Sequence, residues 1–136
     1  FFGDHQPNVP AAFYDDLYGN TDAERSREQK QTKLMTPFFI WANYDIPSQN
    51  GVEISANYLS ALTLNVLGCS TSGFDEMRLV TRESVPRINN YGYYLADGSW
   101  HDGETLSECG ELTGYREAQY AQIFDAKKRK NEWYLP

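Results

Sequence analysis

The sequence predicts an α/β fold in which a small sheet is flanked by helices. Two segments support this class. Residues 36–42 are rich in β-forming side chains and apolar on both faces, which is typical of a strand covered by helices on both sides. Residues 54–68 carry apolar side chains at helical spacing. Because strands and helices alternate along the chain, we expect layered packing of helices on a sheet.

The first elements are a strand end and a short helix. Phe1 and Phe2, followed by a glycine, predict the end of a buried strand that opens into a loop. Residues 11–19 predict a helix with a proline in its first turn and Gly19 just past its end. We expect the buried stripe of this helix to consist of Phe13, Leu17 and Tyr14.

The best helix signal lies over 54–68, where Ser55 is a plausible N-cap and Gly68 a natural residue after the C-cap. Further along, Asp97-Gly98 predicts a turn between two strands. The other predicted elements are a solvated loop or exposed helix over 20–33, a loop over 43–51, a helix over 74–84, a strand–turn–strand unit over 91–100, and a terminal helix over 112–130 whose basic end, 127–130, complements the helix dipole.

Composition limits the functional classes. The 136 residues fit one domain, 1–136, and 40% hydrophobic content suffices for a core. A net charge of −7 lacks the broad positive field of a nucleic-acid-binding protein, so we expect no nucleic-acid partner. No signal-peptide pattern and no apolar run of about 18 residues is present, so we expect the chain to be soluble as given. Because the chain opens inside a strand, we also expect it to belong to a larger protein.

Two cysteines, Cys69 and Cys109, are too few for a disulfide framework and too isolated for a cysteine-based zinc site. A single disulfide in an extracellular protein and two free thiols are both compatible with the sequence.

The most informative motif is Gly3-Asp4-His5-Gln6-Pro7 at the predicted strand end. Active sites of open α/β sheets lie at such ends. A carboxylate oxygen next to an imidazole nitrogen suits Mn²⁺, Zn²⁺ or Fe better than Ca²⁺. The alternative is that Asp4 caps the following turn and His5 is a surface side chain, because a metal site normally has at least three protein ligands.

The chain resembles the C-terminal part of the sulfatase-like catalytic domain of the alkaline phosphatase superfamily, in its lipoteichoic acid synthase and phosphoglycerol transferase branch. Members of that branch have, in order along the chain, a strand, the motif G-D-H-x-P, a short aromatic helix, a second apolar strand and a helix that ends in Leu-Gly. They often close with a Tyr…Gln-Tyr helix. The matching segments here are 1–7, 11–19, 36–42, 54–68 and 112–120. Classical sulfatases more often have Asp-His-Gly at the first motif.

This resemblance implies a fold and a chemistry. The chain would be the C-terminal fragment of a layered alkaline-phosphatase-like sandwich, with Asp4 and His5 as ligands of a divalent metal, Mn²⁺ by resemblance. The family's threonine or formylglycine nucleophile and its first acidic ligand lie upstream of this motif and are not in this sequence. We therefore expect no turnover from this chain alone.

The resemblance also implies partners and a location. The partners would be the remainder of the catalytic domain and a glycerophosphate lipid or cell-envelope polymer. The full-length protein would act on the extracellular face of a bacterial cell membrane, held there through N-terminal segments absent from this sequence. The alternative function is a non-enzymatic binding or assembly module that retains the fold. Upstream sequence with a nucleophile and an acidic ligand would favour the enzyme.

Other candidate residues are weaker. His101 follows the predicted turn and would be a substrate contact or a second metal ligand, but an exposed loop histidine is the favoured interpretation. Four aromatic residues would line a lipid or sugar cleft, or else belong to the core or its rim: Tyr14, Tyr18, Trp41 and Tyr44.

Overall fold

The computed structural model of the chain describes residues 1–125, 127 and 130–136. The α-helices are α1 (Ala11–Tyr18), α2 (Arg27–Lys33), α3 (Ala56–Val66), α4 (Gly73–Ser84) and α5 (Thr113–Phe124). The strands are β1 (Arg87–Ile88), β2 (Gly92–Tyr94) and β3 (Trp100–Asp102), and short 3₁₀ helices cover Gly103–Glu108, Gly110–Leu112 and Asn131–Tyr134. The strands form an antiparallel sheet in the order β1-β2-β3. The predicted α/β class with a small sheet is therefore confirmed.

The sheet is a short meander in the second half of the chain. The predicted turn at Asp97-Gly98 joins β2 and β3, and Gly98 adopts a φ of 84°, a conformation that favours glycine. Tyr93 on β2 lies opposite His101 on β3. The strand–turn–strand prediction is thus confirmed.

The buried core lies between α3, α4, α5 and this sheet. Its fully buried side chains are Tyr58, Val85 and Leu112. Around them pack the other core residues: Phe74, Tyr93, Cys109, Tyr115 and Ala118. All of these lie between residues 58 and 118, so this core is built from the chain from α3 onwards.

Local sequence signals set the ends of α3 and α4. After α3, the Cys69 N–H donates to the Leu64 carbonyl at 2.9 Å and Gly68 has a φ of 69°, which together form a Schellman cap. At the start of α4, the Ser72 hydroxyl accepts the Asp75 N–H at 3.1 Å and the Asp75 carboxylate accepts the Ser72 N–H at 3.0 Å. This capping box explains why the helix begins at Gly73.

The first two predicted strands are much reduced. Residues 1–3 and 37–39 pair as a two-stranded antiparallel ribbon through one bridge, Phe2 to Phe38. Residues 36–42 keep a strand's alternation, with even-numbered positions half-buried and odd-numbered positions exposed. Phe1 is 86% exposed and Trp41 is 74% exposed, so the prediction of strands buried on both faces is wrong for the chain by itself. The two segments are neighbours, as predicted.

Two helix predictions also need correction. In α1 Tyr14 is buried, as predicted, with its ring centroid 4.4 Å from the Lys33 ammonium, whereas Phe13 and Leu17, predicted to be buried with it, are exposed. Helix α5 ends at Phe124, short of the predicted 112–130. Within the basic run predicted at its end, positions 128 and 129 lie outside the described residues, as does position 126.

Helix α2 docks on the hairpin through polar side chains. Gln31 is buried; its amide NH₂ donates to the Gly92 carbonyl at 2.9 Å, and its amide oxygen accepts the Trp100 indole N–H at 2.7 Å. The guanidinium of Arg27 lies 3.0 Å from the Asp102 carboxylate. The polar stretch 20–33 therefore contains a helix with a specific docking face, which its mixed charge did not indicate.

Candidate metal site

Residues 3–7, here called the metal loop after the ligands predicted on it, are held in place by the chain segment that follows α2. The Gly3 N–H donates to the Pro37 carbonyl at 2.9 Å, and the Thr36 hydroxyl donates to the Gly3 carbonyl at 2.7 Å. The Gln6 side-chain amide donates to the Met35 carbonyl. The loop is thus fixed on both sides of Asp4-His5.

A glycine is required at position 3 by the closeness of these segments. A Cβ on Gly3 would lie 2.9 Å from the Thr36 Cβ, which is too short for a contact between two carbon atoms. The sequence predicted Thr36 only as the start of a strand. Gly3 and Thr36 are more than 30 positions apart in the sequence, so no local pattern predicts their contact.

Asp4 and His5 face each other on this loop. The His5 Nε2 lies 3.7 Å from the Asp4 Oδ1, and both side chains are more than three-quarters exposed. The His5 Nδ1 lies 2.8 Å from the Gln6 carbonyl oxygen. A carbonyl oxygen only accepts, so Nδ1 carries the proton of the neutral ring and Nε2 keeps its lone pair on the side of Asp4.

This geometry fits two ligands of a divalent cation. Atoms 3.7 Å apart can both reach one metal at bond lengths of about 2.1 Å, and a second hydrogen bond that orients the imidazole is typical of a ligand histidine. Among the residues that the structure describes, no group of three His, Cys, Asp or Glu side chains converges to hold a metal. Any further ligands of a site at Asp4-His5 would have to come from elsewhere.

His101 has structural contacts of its own. Its ring stacks on Tyr93 with centroids 5.0 Å apart, and its Nε2 lies 3.1 Å from the Ser99 hydroxyl. It belongs to the face of the hairpin, half-buried on β3, and is not the exposed loop histidine that the sequence favoured.

The cysteines are both free thiols, with Cys69 exposed and Cys109 buried. Burial raises the pKa of the Cys109 thiol, and its hydrogen bond to the Glu111 carboxylate, with sulfur and oxygen 3.3 Å apart, raises that pKa further. A thiol held protonated in this way is poorly suited to act as a nucleophile.

A cavity of about 850 Å³ adjoins the metal loop, because residues 36 and 37, which hold Gly3, form part of its wall. It separates the segment 36–53 from α3 and the β1 edge of the sheet. On its sheet side, Arg87 pairs with Glu53 at 2.8 Å and lies 3.6 Å from the centroid of the Tyr94 ring. Of the four aromatic candidates for a lipid or sugar cleft, only Trp41 lines this cavity.

The other three make separate contacts. Tyr44 donates its hydroxyl to the Leu67 carbonyl at 2.9 Å, and Tyr18 lies 5.3 Å from the guanidinium carbon of Arg25. Tyr14 is the buried residue of α1. The four aromatic side chains therefore do not form one cleft in this structure.

Comparisons with protein-family models, with curated proteins and with solved structures gave no match to the chain. Among the described residues, no helix is both long enough and apolar enough to cross a bilayer.

Proposed function

We propose that this chain is the C-terminal part of the catalytic domain of a metal-dependent phosphoglycerol transferase or sulfatase-like hydrolase. Its substrates would be glycerophosphate lipids or cell-envelope polymers on the extracellular face of a bacterial membrane. The observation that supports this best is the pair of donor atoms on the metal loop: the Asp4 Oδ1 and the His5 Nε2, 3.7 Å apart, with the His5 tautomer set by the Gln6 carbonyl.

In this proposal Asp4 and His5 hold the cation, Mn²⁺ by resemblance, together with acidic and nucleophilic ligands from the rest of the domain. When bound, the cation polarises the transferred group and lowers the pKa of the nucleophile. Asp4 supplies negative charge to hold the cation. The Gln6 carbonyl keeps the proton on His5 Nδ1, so Nε2 binds without a tautomer change. The contacts of Gly3 and Gln6 to residues 35–37 hold both donors in position.

The fold proposed for the whole domain is the layered alkaline-phosphatase-like sandwich. The ribbon formed by residues 1–3 and 37–39 would be part of its larger sheet. Helices α3 and α4 and the small antiparallel sheet would pack beside it, as the terminal portion of the domain.

The experiment measures Mn²⁺ occupancy and phosphodiester transfer together, in the longer protein that this proposal requires. We expect His5→Ala to reduce Mn²⁺ affinity by more than about 100-fold, since even loss of an outer-shell partner costs 10- to 100-fold, and to reduce activity in parallel. His101→Ala is the matched control, because it removes the other histidine from the hairpin and should leave occupancy unchanged.

The chain by itself provides a second measurement. With two ligands it should bind Mn²⁺ weakly and show no phosphodiesterase turnover. Occupancy and activity that both persist in His5→Ala of the longer protein would remove Asp4-His5 from the site. That result would leave the binding or assembly module as the better hypothesis.

A further inference from the structure

The cavity beside segment 36–53 has apolar walls. Phe38 and Ile40, on the half-buried face of 36–42, form part of one wall. Leu62 and Val66, one turn apart on α3, form part of the other. The volume of about 850 Å³ lies within the range of small-molecule sites, about 300–1,000 Å³. The cavity is therefore large enough to hold an organic ligand.

The polar side chains on these walls are largely occupied by the protein itself. The side chains of Gln31, Thr36 and Ser55 each donate to a backbone carbonyl, at distances from 2.7 to 3.0 Å. The Thr32 hydroxyl donates to the Glu28 carbonyl one turn earlier in α2. Groups that already have protein partners have little capacity left for the many hydroxyls of a sugar, so the walls favour an apolar ligand.

Arg87 supplies a fixed positive charge on the cavity wall. Its guanidinium carbon lies 3.6 Å from the centroid of the Tyr94 ring, across the β1–β2 pair, and the Tyr94 hydroxyl donates to the Glu28 carboxylate at 2.7 Å. The other charged residue of the wall, Glu53, places its carboxylate 2.8 Å from the Arg87 Nη1. In the described part of the chain the remaining guanidinium nitrogens have no acceptor, so Arg87 keeps free donors.

One side of the cavity, the segment 40–54, is weakly attached. The structure describes all of these residues, and they make no hydrogen bond between backbone groups. Their polar side-chain contacts to the rest of the described chain are two: the Tyr44 hydroxyl donates to the Leu67 carbonyl at 2.9 Å, and Glu53 pairs with Arg87. A segment with so few hydrogen bonds opens at low free-energy cost, which gives a ligand a route into the cavity.

We propose that the cavity binds a long-chain carboxylate, with the alkyl chain between segment 36–53 and α3 and the headgroup on Arg87. The apolar walls select the chain, and the free donors of the guanidinium select an anion. A carboxylate is favoured because that of Glu53 already contacts Arg87, so the ligand would replace a group of the same shape and charge. Asp4 and His5 do not line this cavity, and the inference is independent of the metal chemistry proposed above.

Calorimetric titration of the 136-residue chain with decanoate, decanol and acetate tests the proposal. Decanoate should bind at least about tenfold more tightly than decanol, which is the smaller effect expected of a hydrogen bond to a charged group. Acetate should show no measurable binding, because each buried methylene group of the chain adds about fourfold to the affinity. Equal affinities for decanoate and decanol, or no binding of decanoate, would overturn the proposal.

Substitution of Arg87 tests the headgroup contact. Arg87→Gln should reduce the affinity for decanoate at least about tenfold, to that for decanol, and leave the affinity for decanol unchanged. Arg116→Gln is the matched control, because Arg116 is exposed on α5 and does not line the cavity. An equal loss of both ligands in Arg87→Gln would show that Arg87 recognises no anion and would overturn the proposal.

Substitution of Glu53 tests whether the ligand replaces its carboxylate. Glu53→Gln removes the competing charge and should raise the affinity for decanoate about two- to fivefold, the range of a partly exposed ion pair, with no change for decanol. An unchanged affinity for decanoate, or a parallel change for both ligands, would show that Glu53 and the headgroup do not compete for Arg87 and would overturn this placement.

Filling the cavity tests the position of the alkyl chain. Val66→Trp should weaken decanoate and decanol alike, at least about fivefold, because the added ring takes the space of the chain. Val80→Trp is the matched control, since Val80 is exposed on α4 and lies outside the cavity wall. If circular dichroism shows that Val66→Trp does not fold, Ile46→Trp on the weakly attached segment takes its place. Full binding of both ligands in a folded variant would place the ligand elsewhere and overturn the proposal.

Discussion

Replacing Gly3 with alanine tests whether the metal loop depends on its close approach to Thr36. The added Cβ would lie 2.9 Å from the Thr36 Cβ, whereas carbon atoms pack about 3.5–4.0 Å apart. Thr36 cannot withdraw without loss, because its hydroxyl donates to the Gly3 carbonyl at 2.7 Å. The substitution must therefore separate the two positions.

The size of the effect follows from these contacts. Overpacking of this kind costs about 1–3 kcal/mol, and each hydrogen bond lost on separation adds about 1 kcal/mol. The buried core cluster of the described residues includes none of the ribbon, so we expect the cost to appear as local opening. A cost of 1–3 kcal/mol increases the local opening constant by about 5- to 150-fold.

The assay is amide exchange at Gly3 and Phe39, the two N–H groups that close the ribbon. Both should exchange faster in Gly3→Ala, while the melting temperature of the core changes little. Gly110→Ala is the control, because a Cβ at that position meets nothing within 4 Å. Unchanged exchange at Gly3 and Phe39 in Gly3→Ala would refute the argument that this contact positions the loop.

Two further predictions concern the core and its docking. Burial opposes ionisation of Asp75, but hydrogen bonds from Ser72 and the ion pair with Arg78 outweigh it and lower the pKa of Asp75. The stabilising contribution of Asp75 is present above its unfolded-state pKa and is lost as the pH falls through its lower folded-state pKa. Asp75→Asn should therefore flatten the pH dependence of the free energy of unfolding below about pH 4. Gln31→Leu should destabilise the fold by about 1–3 kcal/mol in chemical denaturation, although it places an apolar group in a buried site. It leaves the Trp100 N–H without its partner and removes one hydrogen bond to the Gly92 carbonyl, which still accepts the Asn89 N–H. An unchanged free energy of unfolding in Gln31→Leu would contradict the argument about docking. If the free energy of unfolding of Asp75→Asn had the same pH dependence as that of the original chain, the argument about Asp75 would be wrong.

The elements that the sequence predicted well are those with signals inside a few residues. Gly68 after the apolar stripe of α3 and the Asp97-Gly98 turn each specify a backbone conformation locally. Helix α5 was predicted too long because helix-forming residues continue past Phe124 with no glycine or proline to stop it. In α1 helical spacing predicted Tyr14, Phe13 and Leu17 as one buried stripe, but only Tyr14 is buried, beside Lys33, and a local pattern does not show which side of the helix the rest of the chain covers.

The site could be predicted only in part for the same reason. Asp4 and His5 are adjacent in the sequence, and the motif that contains them was sufficient to predict a metal site. The contacts that hold them, from Gln6 to Met35 and from Thr36 to Gly3, join positions about 30 residues apart. Such contacts depend on how the chain folds back, and a single sequence carries no record of that.

Helix α2 connects the metal loop to the core. On the core side of this connection, Gln31 of α2 is fixed on the hairpin by its two hydrogen bonds. Directly after the helix, the Met35 N–H donates to the Thr32 carbonyl at 3.0 Å, so Met35 continues the last turn, and the Met35 carbonyl accepts from Gln6 of the metal loop. Since the core cluster contains no residue of the ribbon, this short path links the metal loop to the core. A shift of α2 on the hairpin would therefore move Asp4 and His5 together, without changing their separation, and would alter how they meet the further ligands that the proposed function requires.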